Sequence, residues 1–420
     1  MSKNVKRMLA LISFGFSYGF MYTLPYMKYS FYDQMIAAMK CTNEQLGSLL
    51  SVYAIACTIS YLPGGWIADR FKPKNVLIVS SLANGVLCFI FMLTYTNLTI
   101  AKMIWFLCAL SGGFAFWPAM LKGVRLMGKP EEQGRLYGIF EAINGLAGLL
   151  VNFVMILVLS IFSSDLIIGF KGAVASMGIL CILAAVLLYF FYDGNFTENP
   201  GTVGSSAVGF SDLLTVFKIP GVWLVSLLMF GQVFFSAGMS YLTPYSTGVL
   251  GLSAAAAASI GSLRTYGTRF LGGPLGGYTS DKLFKSASKQ QIFAFLLCGA
   301  SMLVFLLVKP GSGTGGLLLA MLLIIGVAFY MEKGPMYAVI PELGVSPKVT
   351  GTAIALITLI GYTPDMFAHT MFGSWLDSMG DSGYTRIFIV TIIVTAVCAV
   401  LSFVCYRLSK RYMKSEPAVK

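Results

Sequence analysis

The feature that most constrains this chain is a succession of twelve apolar stretches separated by short polar loops. They run over about 8–31, 44–66, 75–96, 101–123, 134–160, 169–191, 219–245, 254–279, 289–308, 315–340, 350–376 and 384–407. Crossing a hydrocarbon core takes roughly 20 residues of helix, and each stretch meets that length. Hydrophobic residues make up 57% of the 420 and charged residues only 11%, more apolar surface than a water-soluble core can hide. Backbone groups in lipid must be satisfied within their own segment, so spans of this kind predict helices. The expected fold is an all-α membrane protein with twelve transmembrane helices. The first apolar run is too long for a cleavable signal and leads directly to another span.

The order of the spans carries a repeat. Gly64-Gly65-Trp66-Ile67-Ala68-Asp69-Arg70-Phe71 and Gly276-Gly277-Tyr278-Thr279-Ser280-Asp281-Lys282-Leu283 read almost alike and lie 212 residues apart, about half the chain. Trp117-Pro118 and Gly334-Pro335 end corresponding apolar segments, and Gly134 and Gly351 open the next ones. A duplicated unit predicts two pseudo-symmetric six-helix bundles, a common plan for secondary transporters. Between Asp193 and Asp212, Gly, Ser, Asn, Thr and Pro replace the apolar residues. The expected division is therefore a first bundle over 1–192, a linker over 193–218 and a second bundle over 219–420.

Basic residues set the expected orientation. With the N-terminus in the cytoplasm and alternating spans, 20 lysines and arginines fall on the inner side and 6 on the outer side. That is the positive-inside pattern, and it places both termini and the linker in the cytoplasm of what is expected to be a bacterial inner membrane. It also accounts for the net charge of +12 through contact with anionic membrane lipids rather than nucleic acid. Seven of the eight cysteines lie within or at the edge of spans and no C-x-x-C occurs, which argues against disulfides and zinc. There is no G-x-x-x-x-G-K-[ST] loop and only one histidine. ATP-driven pumping and intramembrane hydrolysis are thus disfavoured, and neither an enzyme, a cofactor nor a metal is expected.

Twelve spans in two halves, with G-x-x-x-D-R/K loops after spans 2 and 8, resemble the major facilitator superfamily over essentially the whole chain. The loop Gly65-x-x-x-Asp69-Arg70-Phe71-x-x-Lys74 carries the likeness, and its second copy ends in Asp281-Lys282. The resemblance implies that Asp69, Arg70, Asp281 and Lys282 brace helix ends as a gate, with Gly65 and Gly277 allowing close helix approach. Topology-fixing loop charges are the blander reading. A narrower likeness joins Tyr18, Tyr22, Tyr26, Lys28, Ser30, Phe31 and Met35 to the tyrosine-rich first helix of the organophosphate:phosphate antiporters. Trp117-Pro118 and Glu131-Glu132-Gln133-Gly134-Arg135 are similar to the fourth span and following loop of sugar-phosphate permease relatives. This chain departs from that branch at three points. Lysine stands at Lys28 where the branch has an essential arginine, Asn144 replaces a basic residue of span 5, and Ser236 replaces an arginine of span 7.

Embedded charges and aromatic residues supply the site candidates. Arg264 and Arg269 lie in span 8, about 140° apart on an ideal helix, and Lys333 sits beside Glu332 in span 10. Charge at bilayer depth costs on the order of 2.5–3.5 kcal/mol per residue, so each must be paired or line a wet cavity. Arg269 pairing with Glu332 or with a carboxylate at the inner end, and Glu141 in a helix–helix ion pair, are the structural readings; Arg264, nearer the midplane, is a substrate candidate. Asp365 and His369 are spaced i, i+4 in span 11 and suit proton coupling, or else a structural pair around the Thr363-Pro364-Asp365 helix break. Tyr18, Tyr22, Tyr29 and, less closely, Tyr32 form a stripe on span 1 with Lys28 at its edge. Tyr266, Tyr330 and Tyr362, with Tyr241, are the counterparts in the second half, and Trp117 and Asn144 join the candidate substrate contacts.

The sequence therefore predicts a secondary active transporter working by alternating access on a small organic anion, carboxylate or phosphoester. It would be driven by protons or by exchange against a second anion. Two alternatives stay open: efflux of drugs or cations, with Glu141 or Asp365 as the binding charge, and a transporter-like membrane sensor.

Overall fold

The computed structural model describes residues 3–128, 133–192, 216–311, 313–346 and 349–415. Within these it describes all side chains but those of 3–4, 61–69, 125, 133–135, 137–138 and 412–415. Most of the linker over 193–218, and Glu131 and Glu132, lie outside the described residues. The chain forms two compact units, one from Met1–Thr202 with Leu252–Gly267 and the other from Val203–Gly251 with Thr268–Lys420.

In chain order the helices are α1 (Lys3–Met21), α2 (Lys28–Met39), α3 (Asn43–Arg70), α4 (Pro73–Thr94), α5 (Leu98–Ala109), α6 (Trp117–Leu126), α7 (Gln133–Ile161) and α8 (Leu166–Phe191). They continue as α9 (Pro220–Ser240), α10 (Leu242–Gly248), α11 (Ala254–Ser262), α12 (Arg269–Tyr278), α13 (Ala287–Leu307) and α14 (Gly315–Lys333). The last are α15 (Val339–Glu342), α16 (Thr350–Gly361), α17 (Ala368–Met379) and α18 (Ser382–Ser415). Nine described segments are long and apolar enough to cross a membrane. Of the other three expected spans, 44–66 lies in the continuous α3, while 8–31 and 254–279 are interrupted helices.

The interruptions follow from local chemistry. Pro25 has no N–H and cannot continue a helix, so the chain turns over 22–27 between α1 and α2. Trp105 Nε1 donates to the Pro25 carbonyl at 3.1 Å, satisfying a backbone oxygen freed by the turn. Between α5 and α6, Ser111-Gly112-Gly113 lies in a π-helical turn over Leu110–Phe116, and a similar turn, Leu263–Gly267, joins α11 to the chain before α12. Elsewhere the helices start conventionally. Pro73 and Pro220 occupy the first turns of α4 and α9, and Asp165 caps α8 through Ile167 N and Ile168 N at 2.9 and 3.0 Å.

The first unit packs Phe14, Phe116, Met120, Phe140 and Leu188 into its core. Glycines set its closest approach: a Cβ at Gly85 of α4 would come within 3.1 Å of the Gly178 carbonyl on α8. Such small-residue contacts are how helices associate where water does not drive them together. Hydroxyls and amides add hydrogen bonds between helices, Ser17 to Ser81 at 2.8 Å and Asn84 to Ser111 at 2.8 Å. Many outward-facing residues are apolar, as at Leu93 (73% exposed) and Phe190 (72%), which suits contact with lipid.

The second unit has its own core around Val225, Met229, Phe295, Met336 and Ile357. One carboxylate ties two of its helix ends together. Glu342, at the end of α15, accepts from Ala287 N, from Ser288 N at 3.0 Å and Oγ at 2.6 Å, and from Ser286 Oγ at 3.1 Å. It thus supplies an anion to the N-terminal turn of α13 from 55 residues away in sequence. Hydrogen bonds to a charged group contribute about 1.5–3 kcal/mol. Glu342→Ala should therefore lower the thermal midpoint of the detergent-solubilised protein by several degrees, and Glu342→Gln by less. Equal midpoints in wild type and Glu342→Ala would show that other contacts hold this end.

Candidate functional site

The first unit gathers most of the aromatic candidates. The turn at Pro25 divides the tyrosine stripe expected on one straight helix, because residues on either side of it no longer share a helical period. On α1 and just after it, Tyr18 and Tyr22 have ring centroids 4.6 Å apart, and Tyr18 lies 5.6 Å from Trp117 and 5.5 Å from Phe140. The Tyr22 hydroxyl donates to the Gly112 carbonyl at 3.2 Å, inside the π-helical turn. Tyr29 belongs to a second group instead, 5.5 Å from Tyr26, which in turn lies 5.7 Å from Tyr53. Tyr32 donates to Asn43 Oδ1 at 2.8 Å.

Lys28 opens α2 and is 2% exposed, with Nζ 5.9 Å from the centre of the Tyr32 ring. Arg264 lies in the π-helical turn Leu263–Gly267 and is 1% exposed. Its segment packs with the first unit. Gln34 Nε2 donates to the Ala254 carbonyl at 3.1 Å, Ser262 Oγ donates to Asn152 Oδ1 at 3.3 Å, and a Cβ on Gly148 would overlap the Tyr266 ring. Asn144 is buried and its Nδ2 donates to Glu141 Oε2 at 3.4 Å. The first unit thus holds two buried cations, two aromatic groups and an amide–carboxylate pair.

Arg269 opens α12 in the second unit, so the two span 8 arginines fall in different units. Its guanidinium carbon lies 5.8 Å from the centre of the Tyr330 ring. Of the two partners expected for Arg269, Glu332 accepts at its carboxylate from a neutral donor, Gln232 Nε2, at 2.8 Å to Oε2. Lys333 is exposed, with Nζ 5.8 Å from the Phe329 ring centre. Tyr362 follows the last turn of α16 and is half-buried.

Asp365 and His369 come together across a real helix break. Thr363–Met366 forms a 3-10 turn, Phe367 departs from helical geometry, and α17 starts at Ala368. His369 Nε2 stands 3.4 Å from Asp365 Oδ1, with His369 fully buried and Asp365 7% exposed. The Tyr241 hydroxyl donates to the His369 backbone carbonyl at 2.6 Å, bringing that second-half tyrosine against this pair.

Of the gating candidates, the side chains of Gly65 and Asp69 lie outside the described residues; α3 runs through both positions. Arg70, Asp281 and Lys282 are exposed, the last two on a π-helical turn over Thr279–Phe284. The close helix approach assigned to Gly277 belongs to its neighbours. A Cβ at Gly277 would meet nothing within 4 Å, whereas one at Gly272 would come within 2.6 Å of the Val327 carbonyl and one at Gly276 would overlap that of Met331. The motif aligned the wrong glycine of the Gly276-Gly277 pair, because only the helix facing α14 decides which one is crowded.

The family model of the Major Facilitator Superfamily matches residues 8–369. The chain belongs to that superfamily. Among relatives of this Major Facilitator Superfamily member, the inner membrane protein YihN of Escherichia coli is 28% identical over 374 residues, covering 88% of each chain. A probable sulfoacetate transporter, SauU of Cupriavidus necator, is 24% identical over 364 residues, covering 81% of each. The fold matches that of a bacterial homologue of the human lysosomal transporter Spinster with a TM-score of 0.74 at 16% identity, over 99% of both chains. The protein is thus an integral membrane transporter of the Major Facilitator Superfamily, not an enzyme. Its glutamines 232, 290 and 291 and its Glu342 escaped the sequence motifs, because their partners lie 41–100 residues away and no local spacing marks them.

Proposed function

We propose that this chain is a secondary active transporter that moves a small organic anion across the inner membrane by alternating access. The observation that carries the reading is the burial of Lys28 and Arg264, 2% and 1% exposed, in one unit. Taking a cation out of water costs several kcal/mol, and an anionic substrate offsets that cost when it binds. Lysine rather than arginine at position 28 gives a compact charge without bidentate geometry, which suits a carboxylate, phosphoester or sulfonate held by several partners. The tyrosines and Trp117 offer apolar faces with polar tips to the body of such a molecule. The likeness to a probable sulfoacetate transporter supports an anion as cargo. Protons passing through Asp365 and His369, or exchange with a second anion, supply the energy. The Asp69, Arg70, Asp281 and Lys282 loops act as gates, both termini face the cytoplasm, and residues 193–218 link halves spanning 1–192 and 219–420.

The test is thermal stability of the purified protein against sulfoacetate, glycerol 3-phosphate, small carboxylates, organic cations and drug-like compounds. A ligand at 100 times its Kd adds about 2.7 kcal/mol to the folded state when it does not bind the unfolded chain. Stabilisation by an anion, lost in both Lys28→Ala and Arg264→Ala, is the expected result. Stabilisation confined to cations or apolar drugs, unchanged in both variants, would sink the anion reading in favour of efflux.

A further inference from the structure

Glu332 lies one residue before the end of α14 and is 1% exposed. Pro335 shapes its surroundings. Having no N–H, Pro335 leaves the carbonyl of Met331, four residues earlier, without a helical donor, and the end of the helix releases the Glu332 carbonyl as well. Two adjacent glutamines of α13 supply the missing donors. Gln290 Nε2 donates to Met331 O at 2.7 Å and Gln291 Nε2 to Glu332 O at 2.8 Å. From α9, Gln232 Nε2 donates to the side chain at Glu332 Oε2.

Among the described residues, three acceptors of the cluster have no donor aimed at them. With those bonds made, Gln290 Oε1, Gln291 Oε1 and Glu332 Oε1 are buried with no hydrogen-bond partner among the described residues. All four side chains are between 0% and 3% exposed. A buried acceptor left unsatisfied costs about 1–3 kcal/mol, and an ionised carboxylate among such acceptors costs more. The charged and titratable groups on the surrounding helices are few, and of them Lys333, the next residue in the chain, brings its charge to bear on Glu332. Lys333 is exposed and beside Phe329, Arg269 of α12 lies over Tyr330, and Lys289 of α13 lies 5.0 Å from the Tyr406 ring centre. Cys298 of α13 and Cys398 of α18 lie within electrostatic range of the Glu332 side chain, and α9 contributes no titratable side chain. A proton on Glu332 removes the net charge and turns one of the acceptors into a donor.

We propose that Glu332 is a proton-binding site of the second unit, separate from the Asp365–His369 pair, kept neutral by its burial and positioned by the three-glutamine clasp. Its ligand is the proton itself, which passes to water when movement of α14 against α9 or α13 opens the clasp. The site is independent of which anion the protein carries.

Infrared difference spectroscopy of the reconstituted protein, in H2O and D2O across a pH titration, reads this directly. A protonated-carboxyl band that shifts in D2O is expected in wild type and in Asp365→Asn, and is expected to vanish in Glu332→Gln. The latter variant keeps the side chain's shape, so its thermal midpoint should stay near that of wild type. Gln232→Leu, which retains Glu332 but removes its hydrogen bond, should move the band without abolishing it. A full band in Glu332→Gln, its loss in Asp365→Asn alone, or an unmoved band in Gln232→Leu would each overturn the assignment. So would a wild-type spectrum showing only ionised carboxylate.

Discussion

Gly276→Val should all but abolish folded protein, while Gly277→Val, one residue on, should behave as wild type. The contrast comes from what each Cβ would meet. At Gly276 it would be driven into the backbone of Met331, with Cα at 2.9 Å and the carbonyl carbon at 3.0 Å. Backbone in the last turn of a packed helix cannot swing aside as a side-chain tip can. Overpacking a core with extra carbon costs about 1–3 kcal/mol even when side chains can give, and here α14 itself must move. The displacement would also strain the Gln290 bond to the Met331 carbonyl, so one substitution removes packing and a buried hydrogen bond together. At Gly277 nothing lies within 4 Å. Expression, elution as a single species in detergent and thermal midpoint would be compared for the two variants. A yield loss of tenfold or more at position 276 alone is expected; equal behaviour of the pair would remove the close approach as a determinant of folding.

Asp365→Asn and His369→Gln should each abolish uphill accumulation while leaving exchange of anion across the membrane in place. The two side chains meet at 3.4 Å in a nearly dry part of the second unit. The 3-10 turn before them leaves Asp365 outside the regular helix, so small backbone adjustments there change the distance to His369. One proton moved per substrate lets a gradient of one pH unit sustain about a tenfold concentration ratio, or about 1.4 kcal/mol. In proteoliposomes loaded with the anion that gives the largest thermal shift, the imposed gradient should yield that ratio in wild type. It should fall to about unity in either variant, and counterflow should continue. Accumulation by Asp365→Asn at the wild-type ratio would rule the pair out as the coupling site.

How much of this was legible in the sequence depended on the range of the signal. Apolar length and the twin Gly-Gly loops announce an all-helical membrane fold, because both are properties of short windows. The i, i+4 spacing was enough to bring Asp365 and His369 into contact, even across a break. By contrast, a tyrosine stripe drawn on one ideal helix ignored Pro25, whose missing N–H redirects everything after it. Choosing between Gly276 and Gly277 required knowing which face α14 covers. The glutamine clasp was invisible for the same reason: Gln232 and Glu332 are 100 residues apart, and glutamine within an apolar span has no motif.

The π-helical turn at Leu263–Gly267 has a mechanical meaning beyond its place in the fold. Such a turn is one residue of slack wound into a helix, held by looser hydrogen bonds than its neighbours. The chain leaves one compact unit for the other immediately after it, between Gly267 and Thr268. If the slack migrates by a single position, the residues it passes rotate by about 100° around the helix axis without any span being broken. Arg264 is wound into that slack. The segment thus places a residue of slack, with Arg264 in it, one step before the chain passes from one compact unit to the other.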